Sequence, residues 1–307
     1  MALRTPCVGP PYHPEKPPES DHMRVSLLTS LVLTVASCVG SLHAVDPQSP
    51  EFVIAAPVEA LRKNDIVGLF KSMPAEEQAK ARQEWKDKAT TMSPTERAEF
   101  DEKIAMLLDP KAVDNLMAMV EPQLKQLNPA EMAGMLQMFG GMAAMQLAQQ
   151  PAFAKSGQSL QTLANDLAAW LPTSGIEKPE KMRQAITSVV NAAKALGVAN
   201  SDELLKLDLD EFLNRGGAAV KEAKNAFKPY GIDVDAFLAS IVLKNVTGAG
   251  DKRTGDLTFT AFSHDVVFPV PLIQKEGKWV FDELEMQKTV APLMGGMGMG
   301  AGGAGEL

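Results

Sequence analysis

The sequence predicts an α+β protein with a predominantly α-helical body and a small antiparallel sheet at its C-terminal end. Apolar residues recur at helical spacing from about residue 50 to residue 228, and Ser, Asn or Asp followed by Pro marks several helix starts. After Gly231 the pattern changes to period two, in segments rich in Val, Ile, Phe and Thr. We therefore expect a helical domain over 45–230 and an antiparallel β-sheet subdomain over 231–290.

The N-terminal 44 residues form two segments of different character. Residues 1–22 contain six prolines and no apolar periodicity, so we interpret them as a mis-translated, disordered leader. At Met23 the basic Arg24 is followed by an uncharged apolar run, which is the order of a secretory signal peptide over 23–44. The sequence thus predicts an exported Gram-negative protein, located in the periplasm or anchored to the outer membrane as a lipoprotein.

Two processing sites fit the end of this signal peptide. Cleavage after Ala44 follows the small residue that signal peptidase needs. Alternatively, the Val-Ala-Ser-Cys segment at 35–38 resembles a bacterial lipobox, in which Cys38 is lipidated. Both alternatives stay open. Because the other cysteine, Cys7, lies in the leader, we expect no disulfide and a fold that depends on packing.

The charge of the chain limits its partners. The net charge is -8, and residues 1–44 carry equal numbers of acidic and basic side chains, so processing leaves this value unchanged. A surface of this sign repels phosphate backbones and anionic lipids. We therefore expect no nucleic-acid binding, and membrane attachment only through a lipid anchor.

The helical part contains clear start signals. Ser93 and Glu96 are spaced as a capping box, in which each side chain accepts from a backbone amide of the other residue. We expect Pro122 to kink one helix and Gly140 with Gly141 to weaken the next. The predicted helices are 50–71, 74–90, 94–108, 110–127, 129–149, 152–170, 178–197 and 209–228.

The C-terminal part predicts strands joined by tight turns. Residues 275–278 form a hairpin turn with glycine where positive φ is needed, and residues 263–265 form the turn before it. Pro269 and Pro271 remove two donors from one edge of their strand, which places that strand at a sheet border or a bulge. Residues 291–307 are rich in Gly and Met, and we expect a disordered tail. The predicted strands are 240–246, 256–262, 266–273 and 278–282.

Two motifs stand at opposite ends of the mature chain. Ala60, Leu61 and Asp65 follow an A-L-x-x-x-D pattern in the first helix, and residues 277–279 read Gly-Lys-Trp in the last strand. Together they resemble the NTF2-like domains of exported bacterial lipoproteins. This chain departs from the usual layout, because a long helical stretch separates the two motifs. The resemblance implies a cone-shaped cavity between helix and sheet, with no fixed activity attached to it.

Few residues offer catalytic chemistry. Three of the four histidines lie within residues 1–44, which leaves His264. One histidine without cysteine argues against the usual zinc sites and against nucleophile systems that need His. With Ser263 and Asp265 beside it, His264 fits either a general base steered by a carboxylate or, as we favour, an exposed turn residue. We predict a non-enzymatic protein without a bound cofactor.

Clustered carboxylates allow two interpretations. Acid–base catalysis or calcium binding needs such groups to converge in a cleft. Helix capping needs only an acidic residue just before a helix, and we favour this interpretation. The residues concerned are Asp208, Asp210, Glu211, Asp233 and Asp235.

Methionine is the strongest non-random feature, with 17 in the chain. Five of them step by 3, 3, 4 and 3 residues and so lie on one face of a single predicted helix. The interpretation we favour is a core face filled by flexible thioethers. The alternatives are an adaptable apolar surface and a Cu(I) site that uses Met132, Met135 and Met138. The five residues are Met132, Met135, Met138, Met142 and Met145.

These features predict a binding or scaffolding module with an apolar, Met-rich surface or cavity. Its partner would be an envelope protein, a peptide or a lipid chain. The alternative function is periplasmic Cu(I) handling through methionine thioethers. An enzyme ranks third, because it would depend on Asp and Glu alone.

Overall fold

The computed structural model describes residues 45–149 and 153–286. These described residues are 67% helical and contain one four-stranded antiparallel sheet near the C-terminus, which confirms the predicted α+β class. The predicted leader, the predicted signal peptide with Cys38 and the Gly/Met-rich tail lie outside the described residues. Among the described residues, no helix combines the length and the apolar character that a membrane span requires.

Most predicted helices are present, with small shifts in their bounds. The described helices are α1 (Phe52–Arg62), α2 (Ile66–Ser72), α3 (Ala75–Thr91), α4 (Pro94–Leu108), α5 (Ala112–Leu124), α6 (Pro129–Ala148), α7 (Ala154–Ser174), α8 (Pro179–Leu196), α9 (Ser201–Lys206), α10 (Leu209–Asn225), the 3-10 helix Lys228–Tyr230 and α11 (Val234–Ser240). The sequence did not predict α9 or α11, which are too short to show a clear period.

The predicted helix 50–71 is wrong, because the chain forms two helices there. Asn64 adopts a left-handed backbone with φ of 56°, which ends α1. Asp65 then caps α2, since its carboxylate accepts from the Gly68 amide at 2.7 Å. Asn and Asp both stabilise such turns locally, and this outweighs the continuous apolar pattern.

The capping box at the start of α4 is confirmed. The Ser93 hydroxyl accepts from the Glu96 amide at 3.3 Å, and the Glu96 carboxylate accepts from the Ser93 amide at 2.8 Å. The Lys88 ammonium donates to the same carboxylate at 2.9 Å. The hydrogen bond from the Ser93 backbone and the one from Lys88 lower the pKa of Glu96 to about 2.

The sheet is an antiparallel meander in the order β1-β2-β3-β4. Its strands are β1 (Val242–Thr247), β2 (Lys252–Ala261), β3 (His264–Lys275) and β4 (Lys278–Phe281). Glu276 and Gly277 make the β3–β4 turn with φ of 51° and 76°, as predicted. The turn predicted at 263–265 is wrong by one position, since Phe262 and Ser263 carry the positive φ values of 49° and 73°.

Pro269 and Pro271 lie at a sheet border, as predicted. Strand β2 pairs with β3 along its whole length, whereas β4 pairs only from Leu272 onward. The Pro271 carbonyl accepts from the Asp282 amide at 3.0 Å just where the β4 ladder ends. The two missing donors therefore fall where β3 has no strand on its second side.

The first helix packs against the C-terminal part of the chain. Helix α1 contacts β1, β4 and α11, and its Ile54 and Val58 are almost fully buried. On the sheet, Val266 and Leu272 are buried to the same degree. Helix α10 packs on α8 and α2, and α7 packs on β3. All described residues fall within one compact unit.

The three tryptophans are half-buried and join separate elements. The Trp85 indole donates to the Leu207 carbonyl at 3.0 Å, and its ring lies 4.6 Å from that of Phe212. The Trp170 indole donates to the Tyr230 carbonyl at 3.2 Å. The indole nitrogens of Trp85 and Trp170 therefore each have a partner where the ring fills an interface, which is the usual arrangement for Trp.

Candidate docking face

Helix α6 packs on α7 along one side, through small side chains. A Cβ atom added to Gly140 would collide with the Cβ of Ala164, and one added to Gly157 would lie 2.7 Å from the Ala144 carbonyl oxygen. Ala144 and Leu147 are buried on the same side. Of the two glycines predicted to weaken this helix, Gly140 therefore lets α6 approach α7 closely. Helix α6 continues through both Gly140 and Gly141.

The opposite side of α6 is apolar and exposed. Its exposed fractions are 51% for Met135, 56% for Met138, 57% for Phe139, 49% for Met142 and 65% for Met145. We call these five residues the methionine face. The favoured interpretation, a core position, is therefore wrong for the four methionines of this face. The fifth, Met132, is half-buried. The sequence patterns did not single out Phe139, although its spacing from Met135 and Met142 places it on the same side of the helix.

The composition of α6 makes this exposure unusual. Glu131 is the only charged residue in its 20 residues. A surface helix normally carries charged residues opposite its buried stripe, whereas a helix that is apolar all round is normally covered. Small residues here contact α7, and large flexible residues face outward. Thioether side chains repack at low cost, so such a face adapts to a binding partner.

A groove of about 320 Å³ runs between α6 and α7 beside Met145. Its walls are mostly small and apolar, with Gln158, Gln161 and Thr162 as the polar members. The described residues that line the groove carry no charge. It extends the apolar surface of the methionine face.

His264, at the start of β3, pairs with an aspartate on helix α7. Its Nδ1 lies 2.6 Å from Asp166 Oδ2 on α7, and the imidazole is 55% exposed. Asp265, the neighbour proposed to steer a general base, instead accepts from the Thr260 hydroxyl at 2.8 Å. Sequence inspection missed Asp166 because it lies 98 residues away. The pair links α7 to the start of β3.

The clustered carboxylates do not converge. Asp208 and Asp233 cap α10 and α11, accepting from Glu211 and Ala236 amides at 2.7 and 3.0 Å, which confirms the capping interpretation for Asp208. Asp210 receives two hydrogen bonds from Arg82, at 2.8 and 2.9 Å, and these lower its pKa. Within the part of the chain that the structure describes, no group of three or more His, Cys, Asp or Glu residues is placed to hold a metal ion.

In comparisons with protein-family models, curated protein sequences and solved structures, nothing matched this chain. The resemblance to NTF2-like domains stays a prediction. Evidence about the function of this protein therefore comes from the geometry of α6.

Proposed function

We propose that this protein is an exported, non-enzymatic binding module whose methionine face binds an amphipathic helix of a partner protein. The observation that supports the proposal is the exposure of four methionines and one phenylalanine on a single side of α6. A partner that covers these side chains removes apolar surface from water, which stabilises the complex by about 25 cal/mol for each Å² buried. Their spacing repeats that of helix-in-groove interfaces, in which anchors recur every three or four residues.

The properties of this face favour a partner helix over a membrane surface as its ligand. From Met135 to Met145 the stripe rises about 15 Å along the helix axis, which matches roughly three turns of a partner helix. Helices that lie on membranes carry Lys or Arg beside their apolar face, and α6 has neither. Exposed Glu131 at the N-terminal end of α6 and the net charge of -8 favour a partner with a basic polar face.

A synthetic helix of Leu and Lys at amphipathic spacing, labelled with a fluorophore, serves as the probe. Fluorescence anisotropy compares the wild type with two quadruple variants at Met135, Met138, Met142 and Met145. We expect substitution by Gln to weaken binding at least tenfold, because the face becomes polar, and substitution by Leu to preserve it. Circular dichroism should show both variants folded, since these side chains are exposed. Equal affinity of the Gln variant and the wild type would contradict the proposal.

Export is a separate part of the proposal, supported by the basic start and apolar run of residues 23–44. Palmitate labelling of growing cells distinguishes the two processing alternatives. Label that is lost in Cys38→Ala establishes lipidation, whereas an N-terminus at Val45 establishes cleavage after Ala44. An intact polypeptide that retains its leader in the cytosol would contradict export.

Cu(I) handling is the second candidate, with Met132, Met135 and Met138 as its ligands. It is supported by the exposed thioethers of Met135 and Met138, while Met132 is half-buried. Anaerobic titration with Cu(I) under reducing conditions tests it. The Leu variant separates the two functions, because it keeps the apolar face and loses every thioether on it. Cu(I) binding that the Leu variant lacks would support copper handling, and no binding by the wild type would eliminate it.

A further inference from the structure

We infer that the methionine face is also a modification site, at which peroxides oxidise the exposed thioethers to sulfoxides and so release the docked helix. This inference rests on the proposed function. It assigns the sulfur atoms of Met135, Met138, Met142 and Met145 as the reacting atoms.

The distribution of exposed sulfur supports this assignment. A peroxide must reach the thioether sulfur, so exposure controls how fast a methionine oxidises. The four methionines of the face are 49–65% exposed, whereas Met117 on the neighbouring helix α5 is 5% exposed. Outside α6, Met119 is the other described methionine with a strongly exposed side chain, at 59%.

The chemistry at each site is a two-electron oxidation. A sulfur lone pair attacks one oxygen of hydrogen peroxide, the O–O bond breaks and a sulfur–oxygen bond forms. The second oxygen leaves with its hydrogen, takes up the proton of the transferred oxygen and departs as water. Sulfur is oxidised and the peroxide is reduced, so the step needs no other reactant. Methionine sulfoxide reductases reverse the change.

Oxidation should change the docking face and leave the fold intact. A sulfoxide oxygen is a polar acceptor, and burying it against an apolar helix without a donor is unfavourable. The opposite side of α6 contacts α7 through Gly140 and Ala144, with Leu147 buried beside them, and none of these three residues contains sulfur. Loss of the apolar face therefore leaves the α6–α7 contact in place.

The first experiment maps oxidation by peptide mass spectrometry during limited treatment with hydrogen peroxide. We expect the four methionines of the face to oxidise at least tenfold faster than Met117, with Met119 as an exposed internal reference. Oxidation of Met117 at the same rate as the face would overturn the inference, whatever the probe experiment shows.

The second experiment measures binding of the Leu–Lys probe before and after the same treatment. We expect the wild type to lose at least tenfold in affinity and to recover after incubation with both stereospecific methionine sulfoxide reductases. The quadruple Leu variant should bind equally well before and after treatment, because its face cannot be oxidised.

The outcomes separate the two proposals. If the untreated proteins do not bind the probe, the docking proposal is wrong and the release step fails with it. If the oxidised wild type still binds, or if the Leu variant also loses affinity after treatment, docking stands and oxidative control is wrong.

Discussion

The side chain of Lys224 joins three separate segments of the chain. It is 9% exposed, and its ammonium donates to the Leu61 carbonyl and to the Asp235 carboxylate, each at 2.6 Å. The ammonium group donates a hydrogen bond to a carbonyl at the C-terminal end of α1, where its positive charge also interacts favourably with the helix dipole. The same contact fixes α11 against α1, so one residue positions the first helix beside the sheet.

Replacement of this lysine tests its contribution to stability. We expect Lys224→Met to lower the free energy of unfolding by about 1–3 kcal/mol, because it removes the charged hydrogen bonds from α10 to the Leu61 carbonyl and to Asp235. Asp235 is 54% exposed and keeps its hydration, which limits the loss. Urea denaturation measures the change, and Lys221→Met, an exposed neighbour on α10, is the control. Similar losses in the two variants would contradict the assigned role.

Glu96 provides a pH-dependent test at the same scale. Its pKa is about 2 in the folded protein against an ordinary value of 4.5, so the folded state binds its proton less readily than the unfolded chain does. Its contribution to stability is therefore complete above about pH 4.5 and is lost as the pH falls toward 2. We expect the thermal midpoint of the wild type to fall more steeply across this window than that of Glu96→Gln. Parallel curves would contradict the capping role.

At the level of elements, the close approach of α10 to the α1–α2 turn explains one glycine of an adjacent pair. A Cβ atom on Gly217 would collide with the Asn64 carbonyl oxygen, whereas one on Gly216 would make ordinary contact with Ile66 at 3.8 Å. The left-handed backbone at Asn64 places that carbonyl against α10. The turn and the glycine therefore depend on each other.

The two glycines should respond differently to the same substitution. We expect Gly217→Ala to destabilise the protein by about 1–3 kcal/mol, because the helix must move away from the turn. Gly216→Ala should be neutral or stabilise by about 0.5–1 kcal/mol, because alanine favours the helix and has room there. Thermal denaturation of both variants checks the pair. A reversed order would show that α10 does not contact the turn.

Local signals made many elements predictable, and tertiary contacts decided the others. The capping box at Ser93 and the turn at Gly277 lie within a few residues of sequence, so pattern alone locates them. The orientation of α6 was not predictable, because both of its sides are apolar. The fit of Gly140 against Ala164 selects the buried side, and that contact depends on a second helix.

At the scale of the whole molecule, the α6–α7 hairpin presents the candidate site. Helix α7 packs on β3 and is tied to it by Asp166 and His264, and α6 packs on α7. The methionine face therefore projects from a helix that the core holds through its neighbour. The sequence predicts that these methionines share one face of a helix, but it favours a core position for them, whereas four of the five are exposed. Exposure depends on the packing of α7, which the sequence of α6 does not encode.

If the methionine face binds an amphipathic helix, its exposed methionines respond to the ligand and the buried methionines do not. The most direct test is NMR of the protein with ¹³C-labelled methionine methyl groups, titrated with the Leu–Lys helix. We expect the methyl signals of Met135, Met138, Met142 and Met145 to shift in a saturable way, with that of Met117 unchanged. Signals of these four that stay in place while others shift, or that do not respond at all, would contradict the account.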